Sequence, residues 1–156
     1  MTETPTPTLF DWAGGAPALE KLTDLFYKKV KADPLLGPIF IHMDAHHPRY
    51  VADFIGEVFG GPADYSKNRE GHDHMIAQHL GRHLTEQMRR RWVEVLLDTA
   101  DEAGLPDDPE FRSAFVGYIE WGTRLAVINS QPGVEPGPAG PMPKWGWGEV
   151  KGPYQG

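Results

Sequence analysis

Seven histidines lie between His42 and His83, in little more than a quarter of the chain. Histidine is the commonest metal ligand in proteins, so this window is a candidate metal site. The chain has no cysteine, which excludes disulfides, iron–sulfur clusters held by cysteine, and thiolate-bound or covalently attached haem. Any metal must therefore be bound by histidine or carboxylate.

His79 and His83 stand four residues apart, a spacing that on a continuous helix would suit zinc. The residues between them lack the glutamate of a zinc-protease motif, and Gly81 disfavours an unbroken helix. Zinc is therefore the weaker interpretation. The histidines in or beside loops and polar turns are predicted to have surface or capping roles; these are His42, His46, His47, His72 and His74.

A single histidine can instead hold a haem iron from one side, if the fold supplies a flat apolar slot between helices. Apolar residues that could line such a slot are Phe40, Val51, Phe54, Ile55, Val58, Met75, Ile76, Trp92 and Leu96. Spacing alone does not distinguish this slot from an ordinary core. Two classes remain open at this point: a haem protein, and a small non-haem module that uses the histidines and an aromatic tail for metal binding or interaction.

Two amphipathic helices are predicted in the first half of the chain. The first opens near Pro17, carries apolar residues at helical spacing and is broken at Asp33-Pro34. The second opens at His47-Pro48 and stops at Gly60-Gly61-Pro62, a strong terminator. The polar segment 63–71 is expected to be irregular, and 71–79 could form only a short helix before Gly81.

Two longer helices are predicted to supply much of the core. Thr85 is the expected N-cap of one, which closes at Gly104, and Asp108-Pro109 is the expected start of the other. No segment shows convincing alternation of apolar and polar residues, so the predicted class is all-α.

The C-terminal segment 130–156 contains six prolines and seven glycines and is predicted to be an extended arm. It also contains Trp145, Trp147 and Tyr154, large rings that are costly to leave in water. Docking of the arm on its own chain is favoured over docking on a partner.

Length and charge narrow the remaining classes of function. The 156 residues suit one domain, and the formal charge of −7 gives no electrostatic attraction to nucleic acid or to anionic membranes. No apolar run is long enough to span a bilayer, and the N-terminus lacks the features of a signal peptide. A cytoplasmic protein without nucleic-acid or membrane partners is therefore predicted.

From Leu9 to Asn129 the sequence resembles the truncated haemoglobins, and within them the second group. The resemblance depends on an ordered set of short motifs, with Trp92 thirteen residues after His79. The motifs are Gly14-Gly15, Leu25-Phe26-Tyr27, Pro38-Ile39-Phe40, Phe54-Ile55, Phe59-Gly60-Gly61-Pro62 with Tyr65-Ser66, and Gly71-His72.

The resemblance implies a role for each matching residue. His79 resembles the proximal ligand that binds the iron and leaves its opposite face open. Tyr27 resembles the distal tyrosine, and Trp92 the tryptophan whose indole N–H is a second distal donor. Phe40 matches an aromatic residue that packs on the distal side of haem. His47 falls where a distal residue would approach the iron or gate the pocket, a position that is often small in relatives.

Further haem contacts follow from the same resemblance and from side-chain chemistry. The residues expected to bind the cofactor are Phe40, Val51, Phe54, Ile55, Met75, Ile76, His79, Arg82, Trp92 and Leu96. Arg82 is included as a candidate partner of the haem propionates, together with Tyr65, Lys67, Arg69 and His83. A sixth iron ligand from His46 or His47 would produce a low-spin spectrum.

The expected fold is a 2-on-2 helical sandwich around noncovalent haem b, with a flexible segment 1–8, a globin domain 9–129 and the arm 130–156. The expected function is reversible binding of O₂, CO, NO or similar ligands, with tight binding and slow release of O₂. Turnover of NO or peroxide would need an external reductase, since the chain has no flavin or nicotinamide domain. A homodimer is left open.

Overall fold

The computed structural model describes residues 5–69, 82–134 and 141–153. The α-helices in these ranges are α1 (Leu9–Ala13), α2 (Gly15–Ala32), α3 (His47–Val58), α4 (Asp64–Arg69), α5 (Glu86–Glu102) and α6 (Pro109–Asn129). Short 3-10 turns lie at Gly37–Phe40 and Gly148–Val150. The described ranges contain no strand, which agrees with the predicted all-α class. None of their helices is both long and apolar enough to cross a bilayer.

The four amphipathic helices predicted from periodicity are α2, α3, α5 and α6. Thr85 caps α5 by accepting a hydrogen bond from the Met88 N–H at 3.1 Å, as predicted. Asp108 caps α6 in the same way, accepting from the Phe111 N–H at 3.0 Å. A side-chain cap of this kind stabilises a helix by about 1 kcal/mol.

Helix α2 lies at the centre of the packing. It contacts α3 and α5, and α5 in turn contacts α6. The buried face of α2 includes Leu19, Leu22, Phe26 and Val30, the residues whose spacing predicted the helix. This arrangement leaves the neighbouring residue Tyr27 on the part of α2 that meets the beginning of α3.

The glycine motif after α3 is explained by its backbone and by one aromatic contact. Helix α3 ends at Val58, and Gly60 has φ of +93°, in the left-handed region that favours glycine. The Phe10 ring lies against Gly61 so closely that a Cβ there would be 2.7 Å from two ring carbons. Neither glycine can therefore be replaced without strain or displacement of Phe10.

The expectation of irregular structure across 63–71 is wrong for Asp64–Arg69, which form α4. Contacts with the preceding helix α3 hold this helix. The buried Glu57 carboxylate accepts hydrogen bonds from the Ser66 hydroxyl and from its N–H, the latter at 2.8 Å. The buried ring of Tyr65 packs edge-on against Phe54 with centroids 5.0 Å apart. Tertiary packing has overridden a weak local pattern.

The C-terminal arm docks on its own chain, as predicted. The Trp145 ring lies beside Tyr118 and Trp121 of α6, with centroid separations of 5.6 and 5.8 Å. The backbone N–H of Trp145 donates to the Val58 carbonyl at 2.9 Å, and the indole N–H of Trp147 donates to the Pro7 carbonyl at 2.8 Å. The arm therefore connects α6, the end of α3 and the segment before α1. Tyr154 lies outside the described residues.

Asp33 organises the connection between α2 and the 3-10 turn that ends at Phe40. Its buried carboxylate accepts hydrogen bonds from the N–H groups of Leu35 and Leu36, both at 3.0 Å, and from Arg91 Nε at 2.6 Å. Burial alone would raise the pKa of the Asp33 carboxyl, but these hydrogen bonds outweigh it and hold the pKa below its usual range. The carboxylate therefore stays ionised in the folded protein at neutral pH.

Replacement of Asp33 by alanine is expected to lower the free energy of unfolding by about 2–4 kcal/mol, since three donors lose a charged acceptor. Because the folded carboxyl has the lower pKa, its contribution is complete at neutral pH. This contribution is lost as the pH falls from roughly 3.9, the pKa of the carboxyl in the unfolded chain, through the lower pKa that it has in the folded protein. Urea titrations at neutral and acid pH measure both effects. The exposed Asp98→Ala is the matched control, and an equal loss there would contradict the assignment.

Candidate functional site

Tyr27 and His47 form the polar centre of the candidate site. Tyr27 belongs to α2 and is 3% exposed, while His47 is the first residue of α3 and is half-buried. The Tyr27 hydroxyl oxygen lies 3.1 Å from His47 Nε2, within hydrogen-bond distance. A neutral His47 with Nε2 unprotonated accepts the hydroxyl proton, whereas Nε2–H donates to the hydroxyl oxygen. The close packing of α2 on α3 brings these residues together across twenty positions of sequence.

Aromatic rings surround this pair. Phe40 lies edge-on to Tyr27 and to His47, with centroid separations of 5.7 and 6.0 Å. Phe26 lies edge-on to both Tyr27 and Trp92, at 4.8 and 4.9 Å. The site is therefore an apolar, largely aromatic environment that contains a few polar atoms.

Burial raises the pKa of the Tyr27 hydroxyl far above its ordinary value, and a side-chain hydrogen bond with Trp92 partly opposes that rise. The hydroxyl therefore keeps its proton throughout the physiological pH range. The Trp92 indole N–H can only donate, so it interacts with the lone pairs of the hydroxyl oxygen. The Tyr27 hydroxyl thus interacts with polar groups of both His47 and Trp92.

The predicted apolar lining residues occupy different depths. Phe54, Ile55 and Leu96 are buried, and Val51 and Phe40 are half-buried. Arg82 is exposed, in the segment that precedes α5. Met75, Ile76 and His79, together with His72 and His74, lie outside the described residues.

The interpretation of His47 as a surface or capping residue is wrong. The His47 ring packs edge-on against Tyr27 with centroids 4.8 Å apart, because the first residue of α3 lies against α2. His46, the N-cap residue of α3, makes no side-chain cap bond and is exposed, as is His42. Their surface placement is confirmed.

Phe26 is the residue of this site to which the sequence alone assigned no role. It is fully buried and packs edge-on against the rings of both Tyr27 and Trp92, so it helps to position the two donors. Its position beside Tyr27 in the Leu25-Phe26-Tyr27 motif was the available signal. Helical periodicity indicated only that Phe26 belongs to the core.

The described side chains suit one face of a haem better than a metal ion held by protein ligands alone. Within ranges 5–69, 82–134 and 141–153, no three His, Asp or Glu side chains are grouped so that they could bind a metal ion. By contrast, aromatic walls with a buried hydroxyl and an indole N–H match the distal side of a pocket for a flat apolar cofactor that binds a small polar ligand. These features are typical of all-α haem proteins that bind diatomic gases.

Comparison with known proteins gives the family. Residues 8–118 match the model of the bacterial-like globins. A group 2 truncated haemoglobin of Bacillus subtilis is 32% identical over 117 residues, which cover 75% of this chain and 86% of that protein. A group 1 truncated haemoglobin of Tetrahymena thermophila is 31% identical over 102 residues, 65% of this chain and 80% of the relative.

Solved structures agree with this assignment. The group II truncated haemoglobin of Bacillus anthracis superposes with a TM-score of 0.71 at 26% identity, covering 80% of this chain and 93% of that chain. The truncated oxygen-avid haemoglobin of Bacillus subtilis gives a TM-score of 0.69 at 30% identity, covering 78% of this chain and 99% of that one.

The chain belongs to the truncated haemoglobins of the bacterial-like globin family. The resemblance to the second group, the 2-on-2 fold and noncovalent haem b as the cofactor are confirmed. The protein is a haem-binding globin for small gaseous ligands, and the alternative of a non-haem module has no support.

Proposed function

We propose that this globin binds O₂ tightly and releases it slowly, with Tyr27 and Trp92 as the donors that retain the ligand. The observation that carries the proposal is the buried Tyr27 hydroxyl, which lies 3.1 Å from His47 Nε2 in an aromatic environment where Phe26 contacts both Tyr27 and Trp92. The structurally similar haemoglobin of Bacillus subtilis is an oxygen-avid protein, which supports the same property here.

The physical basis is stabilisation of charge on the ligand. Ferrous haem, when bound, supplies the iron site for O₂ and shifts electron density onto the ligand. A neutral hydroxyl and an indole N–H that are already positioned in an apolar pocket stabilise that density without reorganisation of solvent. The raised pKa of Tyr27 supports its role as a proton donor, because an ionised phenolate could only accept.

His47 controls how the single hydroxyl proton of Tyr27 is used. If Nε2 accepts that proton, the hydroxyl cannot give it to the ligand at the same time. If Nε2 carries a proton and donates, the hydroxyl proton is available to the ligand. We therefore propose that His47 gates the pocket by orienting the Tyr27 hydroxyl, and not by blocking access to the pocket with its side chain.

The remaining residue assignments are part of the same proposal. His79 is proposed as the proximal iron ligand, with Met75 and Ile76 beside the cofactor. The proposed haem-binding residues also include Phe40, Val51, Phe54, Ile55 and Leu96, with Arg82 toward the propionates. We propose that residues 9–129 form the haem-binding unit, preceded by a flexible segment 1–8 and followed by the arm 130–156.

Turnover of NO or peroxide is proposed to depend on an external reductase, as the bound haem would need an outside source of electrons. We further propose a cytoplasmic location, where such a reductase would be available. A homodimer stays a prediction.

The double variant Tyr27→Phe/Trp92→Phe tests the proposed function. Its O₂ dissociation rate, measured in the ferrous protein by stopped-flow mixing, is expected to rise by about a hundredfold or more, because two donors to a charged ligand are lost. The matched control is Tyr118→Phe/Trp121→Phe, the same pair of changes on α6, which should leave the rate unchanged. Each variant must show a Soret band after haem addition before its O₂ dissociation rate is measured. An unchanged rate in the first variant refutes the proposal.

A further inference from the structure

A surface cleft between α2 and the beginning of α3 reaches Tyr27. It has a volume of about 250 Å³ and is lined by Asp24, Tyr27, Lys28, Lys31 and Pro48. The α2 residues are three, four and seven positions after Asp24, so they follow one face of the helix. Pro48 directly follows His47. The cleft therefore extends from solvent to Tyr27, the residue that contacts His47.

The outer part of this cleft is positively charged in an acidic protein. Lys28 and Lys31 contribute two positive charges against the single negative charge of Asp24, whereas the whole chain has a formal charge of −7. Both lysines are exposed, and neither takes part in an ion pair with another described residue. Lys29, between them in sequence, points elsewhere and pairs with Glu102 at 2.5 Å.

Charge of this kind acts on anions and not on neutral gases. A positive potential at the opening of a low-dielectric cleft raises the local concentration of anions and their rate of entry. Neutral O₂, CO and NO gain nothing from it. Since the protein as a whole has a negative net charge, a basic cleft that reaches Tyr27 has a specific consequence for negatively charged ligands.

We infer that Lys28 and Lys31 form a basic entrance through which small monovalent inorganic anions, such as azide, nitrite or nitrate, reach and leave the haem pocket. The inference rests on the proposed function, because it requires the distal pocket to lie behind Tyr27. It assigns the route of these anions to the cleft between α2 and the beginning of α3.

The test uses the full-length, haem-loaded ferric protein and azide as the probe, at mildly alkaline pH where azide is an anion. Lys28→Gln/Lys31→Gln is expected to lower the azide association rate by about three- to tenfold at low ionic strength, and added salt should remove most of the difference. Asp24→Asn should change the rate in the opposite direction. CO association with the ferrous protein should be unchanged in every variant.

The matched control is Lys21→Gln/Lys151→Gln, which removes the same net charge from positions outside the cleft. An equal decrease in this control would show a general effect of net charge and overturn the inference. A parallel change in CO association would also overturn it, by showing a distorted pocket. These outcomes are distinct from failure of the proposed function, which would appear as a missing Soret band or as unchanged O₂ release from Tyr27→Phe/Trp92→Phe.

Discussion

Tyr27→Phe alone is expected to speed O₂ release from the ferrous protein by about tenfold to hundredfold, the equivalent of one hydrogen bond to a charged group. The substitution removes only the hydroxyl, so the edge-on contacts of the ring with Phe26 and Phe40 are retained. Stopped-flow displacement of O₂ by CO measures the rate. CO dissociation should change much less, because CO acquires less negative charge than O₂.

A double-mutant cycle with His47 tests whether that residue acts through Tyr27. His47→Leu is expected to alter O₂ release in the wild-type background and to have little effect in Tyr27→Phe, since the contact at 3.1 Å no longer exists. His46→Leu is the matched control, as His46 is exposed and precedes the helix. Independent, additive effects of His47→Leu in the two backgrounds would contradict a positioning role.

Removal of the C-terminal arm is expected to have the largest effect on stability. A chain that ends at Val134 should lose about 3–6 kcal/mol of unfolding free energy, because the packing of Trp145 and Trp147 is lost. The arm also supplies donors to the end of α3: the Trp145 N–H to Val58, and Lys144 Nζ at 3.5 Å from the Glu57 carbonyl. Urea denaturation of the haem-loaded protein measures the change.

A point substitution in the complete chain separates packing from truncation. Trp145→Ala should account for about half of the loss, since its ring contacts Tyr118 and Trp121 and lies against Gly117. Val150→Ala, at an arm residue that is 55% exposed, should cost little. If Trp145→Ala lowered the unfolding free energy as little as this control, a stabilising role for the packing of the Trp145 ring would be contradicted.

The helices could be predicted from sequence where local signals agreed with one another. Thr85 and Asp108 mark helix starts through their side-chain oxygens, and the glycines after α3 mark its end, so these boundaries follow from local chemistry. Helix α4 could not be predicted in this way, because it depends on Glu57, a residue of the preceding helix. Its stabilising partner is invisible to any pattern within 63–71.

The residues of the candidate site could be predicted from the sequence, but the contacts between them could not. The resemblance named Tyr27, Trp92 and Phe40, and the structure brings them together. The contact between Tyr27 and His47 depends on where α3 begins relative to α2, which no spacing along the chain determines. The charge of the cleft likewise depends on which lysines of α2 face α3.

The positions of the tryptophans make the protein its own spectroscopic probe. Of the five tryptophans, Trp92 alone lies beside Tyr27, whereas Trp12, Trp121, Trp145 and Trp147 are associated with the arm or its docking surface. Haem absorbs light at the wavelengths where tryptophan emits and quenches fluorescence by energy transfer that weakens with distance. Emission from Trp92 should therefore report cofactor entry. In the haem-free Trp92→Phe variant the remaining emission should instead follow release of the arm, so that comparison of the two proteins times the two events separately.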